Sequence, residues 1–279
     1  MTEERRNEKD GRRGMGRLFG PVRAVGNWLA GGNGRARPGK DWTAILPGGV
    51  KLEMVWVEPG TFMMGSAKYS DTERPVHRVT LTKGYWIGKH QFTQEQWQAV
   101  GASKFEMCCF RGYRLPVEMV NWYEATDCCR QLNALLMCKI NVGYHFALPT
   151  ETQWEFAARG GVKSHGYEYS GDNNLENVAW YYGKSNSCTH NVGQKRPNEL
   201  GIYDMSGNVW EWCCDCFGGY PSEAVSDSSG PSSSGLIRVC RGGAWNYDDY
   251  YCRSTCRHYD ESSSYSPSVG FRVALVPSE

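Results

Sequence analysis

Residues 241–272 read RGGAWNYDDYYCRSTCRHYDESSSYSPSVGFR, and this stretch decides how the fold is interpreted. Its two ends, RGGAW and VGFR, have the glycine, aromatic and aliphatic residues of a folded framework. The interval between them, 246–268, contains no Val, Ile, Leu, Met, Phe, Ala, Gly, Lys, Gln or Trp, and is dominated by five Tyr, six Ser and three Asp. Because such a run supplies few core side chains, we expect it to lie on the surface between two buried segments.

The composition of the whole chain indicates an aromatic-rich globular protein. Its 279 residues include 11 Trp, 16 Tyr, 9 Phe and 33 Gly, which is enough chain to bury a substantial core. The net charge of +1 is unevenly distributed, because residues 1–40 carry ten Lys and Arg against four Asp and Glu. A nucleic-acid-binding protein normally carries its basic surface on the folded body, so we expect no nucleic acid on the domain.

The sequence also bears on where the protein is found. No apolar run approaches the ~20 residues that span a bilayer. The N-terminus, MTEERRNEKDGRRGMG, is not followed by the hydrophobic stretch of a signal peptide. We therefore expect a cytoplasmic protein whose 12 cysteines are reduced thiols, with delivery to a surface by another route left open.

The chain divides into two regions that differ in composition and in hydrophobic periodicity. Residues 1–41 are rich in Gly and Arg and lack a periodic pattern, which predicts a disordered basic arm. Within it, the amphipathic piece 18–30 predicts contact with a partner or a membrane surface, the alternative being a flexible tail. Residues 42–279 are predicted to form one α+β domain with few helices, short strands and long ordered loops.

Local patterns predict several elements of this domain. The segments 51–57 and 61–65 read as strands, and 76–92 reads as two more. Three helix starts share a capping pattern, in which a side-chain oxygen precedes an amide or acid by three residues: Thr93 with Gln96, Asn121 with Glu124, and Thr150 with Gln153. The second helix carries an apolar stripe formed by Trp122, Ala125, Cys129, Leu132 and Leu136.

Seven motifs of the sequence occur in the same order as in a known family. They are GTFMMGS (60–66), FTQEQW (92–97), LPVEMVNWYEA (115–125), LPTETQWEFAARGG (148–161), NELGIYDMSGNVWEW (198–212), RGGAW (241–245) and VGFRVA (269–274). Together they resemble the sulfatase-modifying-factor family, that of the formylglycine-generating enzyme, over residues 50–276. The resemblance implies an elaborated C-type-lectin fold, with a small twisted antiparallel sheet, flanking helices and much irregular loop.

The enzymes of this family use two thiols after the RGG motif to hold copper and activate oxygen, and soft thiolates suit Cu(I). Counted from Arg241, the first thiol position falls on Tyr247 and the second on Cys252. Tyr247 cannot supply a thiolate, so the resemblance favours a member without copper or a catalytic residue. Cys252 with Cys256, at a different spacing, is the fallback pair for a copper-dependent formylglycine-generating oxidase. An inactive relative acting as a structural subunit is a third alternative.

The resemblance also implies structural calcium. The ligands carried over by matching position are the residues Asp204 and Glu211 and the carbonyls of Gly207 and Val209. A second family site would use Asn177 and the Val178 carbonyl, but its downstream acidic partner is missing here. Calcium takes six to eight oxygen ligands, so an ion is predicted at the first site only. The alternative is a metal-free turn in which Asn208 and Glu211 bond to backbone amides.

Residues 246–268 resemble the variable region of ligand-binding proteins that are diversified by retroelements on the same lectin-type scaffold. Adenine-directed mutagenesis of Asn-type codons there yields Tyr, Asp, Ser, His, Cys and Thr, which are the residues that fill this segment. Tyr and Ser are also the main residues of antibody paratopes, since Tyr offers a large rigid face at low entropic cost. The alternative is an ordinary polar loop without a ligand.

We therefore predict a ligand-binding, receptor-like protein that contacts a protein or a surface glycan through this segment. The predicted contact residues are Trp245, Asn246, Tyr247, Asp248, Asp249, Tyr250, Tyr251, Arg253, Ser254, His258, Tyr259, Asp260, Ser262, Ser264 and Tyr265. Arg253 and Arg257 are alternatively framework residues, with guanidinium groups bound to backbone carbonyls.

Overall fold

The computed structural model describes residues 34–101, 107–228, 230 and 235–278. Its strands are β1 (Trp42–Ile45), β2 (Lys51–Val57), β3 (Gly60–Met64), β4 (His77–Leu81), β5 (Tyr85–Gly88), β6 (Tyr144–Ala147), β7 (Trp210–Cys216), β8 (Val225–Ser226), β9 (Ile237–Arg241), β10 (Arg257–Glu261), β11 (Val269–Gly270) and β12 (Ala274–Pro277). Its α-helices are α1 (Gln94–Ala99), α2 (Trp122–Leu136) and α3 (Glu151–Ala158).

The strands form three small, mostly antiparallel sheets. The first has the order β1-β2-β5-β12-β6, so the last strand of the chain lies between β5 and β6. The second, β10-β9-β7-β11, pairs β7 with β11 in parallel, and the third is β3-β4-β8. The predicted α+β class, with few helices and short strands, is confirmed. The second sheet positions the candidate site, because β9 and β10 flank the segment that follows the RGG motif.

The three predicted capping patterns are all formed. At the start of α2, the Asn121 side chain accepts from the Glu124 amide at 2.9 Å, and Glu124 reaches back to the Asn121 amide. Each reciprocal pair satisfies two amides that a helix start would otherwise leave unbonded. Of the predicted apolar stripe on α2, Ala125, Cys129, Leu132 and Leu136 are buried and Trp122 is half-buried.

The main hydrophobic cluster joins the first sheet to α2 and β7. Trp86 and Phe146 come from the sheet, Leu132 from the helix and Trp212 from β7. A second cluster packs α3 against β5 and β9 through Trp154, Ile87 and Val239. Burying indole rings of this size supplies much of the apolar free energy of such a loop-rich fold.

Ordered packing begins before the predicted domain boundary at residue 42. Ala36 is fully buried, and its amide donates to the Lys139 carbonyl at 3.1 Å. The Lys40 carbonyl accepts from the Trp86 indole at 2.8 Å. Residues 1–33 of the predicted arm, including the predicted contact at 18–30, lie outside the described residues.

Two further findings concern the cysteines and the helices. All twelve cysteines lie in the described ranges, and none of them forms a disulfide bond. Within the described ranges, no helix is both long and apolar enough to cross a membrane. The cytoplasmic location stays a prediction.

Candidate ligand-binding surface

The segment 246–268 is not a surface loop throughout, contrary to the expectation from its composition. Its side chains are divided between the interior and the solvent along a short 3-10 helix, Asp249–Cys252, and the extended strand β10. The inward side chains are Cys252, Arg253, Ser254, Cys256, Arg257, Ser262 and Ser268. The predicted contact residues Arg253, Ser254 and Ser262 therefore belong to the interior and leave the candidate surface.

Arg253 anchors the segment to a distant part of the chain. Its two terminal nitrogens bind the carboxylate of Glu73 at 2.9 and 3.1 Å, and both residues are buried. The guanidinium also lies between the rings of Tyr69 and Tyr250, at 3.7 and 4.2 Å from their centroids. Burial opposes the charge on Arg253, but the hydrogen bond and charge of Glu73 raise its pKa above its ordinary value. The cation is therefore kept in the interior by its partner.

Arg257 forms a second bidentate ion pair, with Glu151 at 2.6 and 2.7 Å. Its remaining nitrogen donates to the carbonyls of Thr72 and Gly218 at 2.8 and 2.9 Å. The predicted alternative for both arginines, a framework role, matches this geometry, although carboxylates and not carbonyls are the main partners.

Arg241, the first residue of the RGG motif, fixes the backbone of the segment from below. It is fully buried, pairs with Glu155 and donates to the carbonyls of Ser254, Thr255 and Cys256. Burial raises the pKa of Glu155, but the charges of Arg159 and Arg241 outweigh it and hold that pKa below its ordinary value. The turn between Cys252 and β10 is thus held by charge-assisted bonds.

The outward side chains form a continuous row of aromatic rings. Tyr250, Tyr251 and Tyr259 are 41%, 36% and 49% exposed. Neighbouring ring centroids lie 4.4–6.2 Å apart along the row, in the order Tyr69, Tyr250, Tyr251, Tyr247, His258, Tyr259 and Phe217. We call Tyr247, Tyr250, Tyr251, His258 and Tyr259 the aromatic face.

The buried indole of Trp210 supports the middle of this face. His258 stacks on it with the centroids 4.8 Å apart, and Tyr247 meets it edge-on at 5.3 Å. Burial lowers the pKa of His258, and the nearby charge of Asp260 offsets this only in part. The imidazole is therefore neutral at physiological pH and acts as one more ring of the face.

Acidic side chains border the aromatic face. Asp248, Asp249 and Glu261 are exposed, and Asp260 is half-buried. With Arg253 and Arg257 neutralised inside, the segment itself offers carboxylates and hydroxyl groups to a ligand.

The two ends of the predicted contact set are fastened to the scaffold. The Trp245 indole donates to the Pro267 carbonyl at 3.0 Å. The Tyr265 hydroxyl donates to Glu124 at 3.1 Å and accepts from Asn121 at 2.9 Å, at the start of α2. Asn246 is exposed and Ser264 is half-buried. Trp245 and Tyr265 thus hold the two ends of the segment in place.

The fallback thiols are both buried and lie in different hydrophobic clusters. Cys252 packs with Leu175 and Val178, whereas Cys256 belongs to the main cluster. Burial raises the pKa of both thiols, for Cys256 to about 11. Thiolates, the form that binds Cu(I), are therefore disfavoured at both positions at neutral pH. At the first thiol position of the family stands the half-buried ring of Tyr247.

The residues of the first predicted calcium site come together, but they surround the side-chain amide of Gln91. The carbonyls of Asp204, Gly207 and Val209 and the Glu211 carboxylate all face the side-chain nitrogen of Gln91. Asp204 contributes its carbonyl only, since its carboxylate accepts from the Gly193 amide at 2.7 Å. An amide nitrogen at the shared point does not fit a calcium ion there.

The second predicted calcium set, unlike the first, does not converge on one point. The Asn177 side chain donates to Asp172 at 2.9 Å, and its carbonyl accepts from the Arg196 amide. Val178 is buried in the cluster that holds Cys252. Across the described residues, no group of three or more His, Cys, Asp or Glu side chains is arranged to hold a metal ion.

Sequence reasoning missed the residues that support the face from elsewhere. Tyr69 and Phe217 extend the row of rings at its ends, and Trp210 lies beneath it. Trp210 stood in a quoted motif, NVWEW, which could have marked it as a platform. Tyr69 and Phe217 carry no local signal, because only the tertiary fold brings them to the segment.

Comparisons with known proteins agree with this fold. Residues 49–276 match the family described as "Sulfatase-modifying factor enzyme 1-like domain". The solved structure of Treponema denticola variable protein 1 superposes with a TM-score of 0.76 at 32% identity, covering 85% of this chain and 99% of that one. Chaperone protein LppX of Paenibacillus barcinonensis is 33% identical over 240 residues, 70% of this chain and 79% of that protein.

An enzyme is also among the relatives. The formylglycine-generating enzyme of Streptomyces coelicolor is 33% identical over 177 residues, 57% of this chain and 52% of the enzyme. The chain thus aligns with about half of that enzyme's length. The family match, the curled antiparallel sheets and the superposition confirm the C-type-lectin-like fold of the formylglycine-generating type. The chain belongs to the sulfatase-modifying factor family.

Proposed function

We propose that this protein binds a ligand, in the manner of a receptor, through the aromatic face displayed on its rigid scaffold. The observation that carries the proposal is that one segment contains both buried anchoring side chains and exposed aromatic side chains. Arg253 and Arg257 are fixed inside by Glu73 and Glu151, while Tyr250 and Tyr259 project outward beside them. An ordinary polar loop would not need two buried bidentate ion pairs to hold its exposed side chains in place.

The geometry favours binding on energetic grounds. Each exposed ring already packs edge-on or stacks against a neighbour, as Tyr250 does with Tyr251 at 5.3 Å. Side chains that are ordered before binding lose less conformational entropy when a ligand arrives. Tyrosines also combine apolar area with a polar tip, which makes them frequent anchors of interfaces.

The chemistry of the surface indicates the class of ligand. Exposed carboxylates at Asp248, Asp249 and Glu261 border the rings, and the arginines of the segment are paired inside. Such a surface complements hydroxyl-rich or basic groups. A protein or a surface glycan is the proposed ligand, and residues 1–40 are proposed to localise the protein through a partner or a membrane.

The likeness to a variable protein supports a further part of the proposal, that the segment is diversified. The outward positions of 246–268 carry the Tyr, Asp and Asn that adenine-directed mutagenesis produces. Substitutions at these positions are expected to leave the Arg–Glu pairs beneath them intact, because the partners Glu73 and Glu151 lie outside the segment. A neighbouring reverse transcriptase gene with a near-copy of this coding segment, differing at adenines, would test this part directly.

Binding itself is tested with matched tyrosine variants. The purified chain and its variants are applied to a glycan array and to an immobilised cell-surface protein fraction. The double variant Tyr250→Ala/Tyr259→Ala is expected to lose binding by roughly 30-fold or more, the effect of removing one or two interface anchors. Tyr113→Ala is the control, since this ring is 68% exposed and lies outside the segment.

The outcomes separate this function from its alternatives. Saturable binding that Tyr113→Ala retains and the double variant loses supports the proposal, and the array identifies glycan or protein. Binding that the double variant keeps unchanged would place the ligand elsewhere. Stoichiometric Cu(I) binding with oxygen use on a Cys-x-Pro-x-Arg peptide would instead establish the oxidase, with Cys252 and Cys256 as its thiols.

A further inference from the structure

Gln91 lies in the buried stretch between β5 and α1, inside a cage of oxygen atoms. Its side-chain nitrogen is 3.1 Å from the Asp204 carbonyl, 3.2 Å from that of Gly207 and 2.8 Å from that of Val209. The Glu211 carboxylate oxygen is 3.0 Å away. Gln91 itself is fully buried, so water does not compete for these contacts.

The cage offers more acceptors than an amide can use. A carboxamide nitrogen carries two hydrogens, so four oxygens share two N–H groups. The other end of the amide, the Gln91 side-chain oxygen, is buried without a hydrogen-bond partner among the described residues. Reversing the amide would set that oxygen against the four others, so the cage fixes its orientation. A convergence of carbonyl and carboxylate oxygens is the usual arrangement around a hard divalent cation.

The charge in the cage is also balanced by the chain. Arg272 binds Glu211 through two nitrogens, each 2.6 Å from a carboxylate oxygen, and the Trp154 indole donates to the same carboxylate at 2.6 Å. All three side chains are fully buried. The carboxylate that would attract a divalent ion is therefore already neutralised by a guanidinium.

The loop near Asn177 also pairs oxygen atoms with N–H groups of the chain. Asp172 accepts from Asn177 at 2.9 Å and from the Arg196 guanidinium at 2.6 Å. Lys195 donates to the Glu176 carbonyl at 2.7 Å. Around Asn177, too, nitrogen donors of the chain bind the nearby oxygens.

We propose that the Gln91 amide occupies a cation-competent oxygen cage, so that this protein is braced by its own side chain and needs no calcium. A calcium ion requires oxygen distances of about 2.3–2.6 Å from one central point, and the amide nitrogen fills that point. Removing the amide opens the cage to a divalent ion. Replacing it by a carboxylate adds the charge that Arg272 has cancelled.

The test compares calcium dependence in the full chain with two Gln91 variants. Thermal unfolding is followed in EDTA and in millimolar calcium, and terbium luminescence, sensitised by the adjacent Trp154, reports an ion in the cage. Wild type is expected to show the same Tm in both buffers and no saturable terbium signal. Gln91→Ala is expected to lose roughly 4 °C in EDTA, the scale of one lost buried contact, and to recover it in calcium. Gln91→Glu is expected to show the larger calcium dependence.

Gln94→Ala is the matched control. Gln94 is also fully buried and donates to the Phe110 carbonyl at 2.8 Å, outside the cage. Its loss of Tm should not be recovered by calcium. A wild-type Tm that rises in calcium and falls in EDTA would overturn the proposal, whether or not the variants fold. The proposal would also be overturned if folded Gln91→Ala and Gln91→Glu variants showed no change of Tm in calcium and no saturable terbium signal.

Discussion

Glu73 and Arg253, separated by 180 positions in the sequence, form a buried bidentate ion pair directly beneath the ring of Tyr250. Glu73 belongs to the short 3-10 helix Asp71–Glu73, and Arg253 follows the 3-10 helix Asp249–Cys252. The pair therefore fastens the start of the outward row of rings to the loop between β3 and β4.

Replacing Glu73 by Ala should destabilise the protein strongly. The change leaves the Arg253 guanidinium buried without its carboxylate, which costs about 3–5 kcal/mol. Urea unfolding gives the free energy. Asp71→Ala is the control from the same 3-10 helix, because the Asp71 side chain is 94% exposed and should contribute little. Equal losses from the two variants would contradict an anchoring role for Glu73.

The tyrosines of the aromatic face should fall into two classes. Tyr247 is half-buried and packs on the main cluster and Trp210, so Tyr247→Ala should cost about 2 kcal/mol, roughly half the effect of a fully buried aromatic ring. Tyr250→Ala and Tyr259→Ala should stay within ~1 kcal/mol of wild type, as is usual at exposed positions. Chemical denaturation measures both, and a large loss from Tyr259→Ala would show that its ring is structural.

Gly243 should tolerate no side chain. Its φ is +78°, and a Cβ there would lie 2.7 Å from the Cys252 sulfur and 3.0 Å from the Tyr251 carbonyl. Gly243→Ala should therefore cost about 2–4 kcal/mol through backbone strain and overpacking. Gly219→Ala, at an open position without a positive φ, should be nearly neutral. Near-UV circular dichroism would show whether the aromatic rings move, and an unchanged spectrum and Tm would refute the tight fit.

Stability should fall as pH rises because of Asp215. Burial, aided by the charge of Glu151, raises the pKa of Asp215 from 3.8 to about 7. The folded protein thus holds a proton that the unfolded chain releases, so stability falls with rising pH between about 4 and 7.

Asp215→Asn removes this ionisation while keeping an oxygen to accept from the Glu151 amide, which lies 2.7 Å from the Asp215 carboxylate. The variant should therefore be more stable than wild type above about pH 7 and show a flatter profile, with the gain vanishing near pH 4. Urea midpoints across that range provide the measurement. Parallel profiles for the two proteins would show that Asp215 does not titrate abnormally.

The local features of this fold were predictable from sequence. The capping pairs at Thr93, Asn121 and Thr150 depend on residues three apart, and β2 has the predicted bounds. Such signals are contained in a few neighbouring residues, so they can be recognised without knowledge of the tertiary fold. The ordered motifs then extended these local predictions to a family and hence to a fold.

The interior role of residues 246–268 was not predictable in this way. Arg and Cys in a Tyr- and Ser-rich run read as surface residues, yet Arg257 is buried because Glu151, 106 positions earlier, neutralises it. Composition records which side chains are present but not which carboxylates the fold brings to them. The same holds for Gln91, whose oxygen cage comes from a motif more than 100 positions away.

The division of 246–268 into inward and outward side chains assigns two heritable properties, stability and specificity, to different codons. Under the proposed function, a change at Tyr250 or Tyr259 alters which ligand is bound, whereas a change at Arg253 or Arg257 lowers the stability of the fold. Mutagenesis spread evenly over these codons would thus produce many destabilised variants that lack a buried ion pair. A mutagenic process that spares the arginine codons could explore new specificities with nearly every descendant still intact.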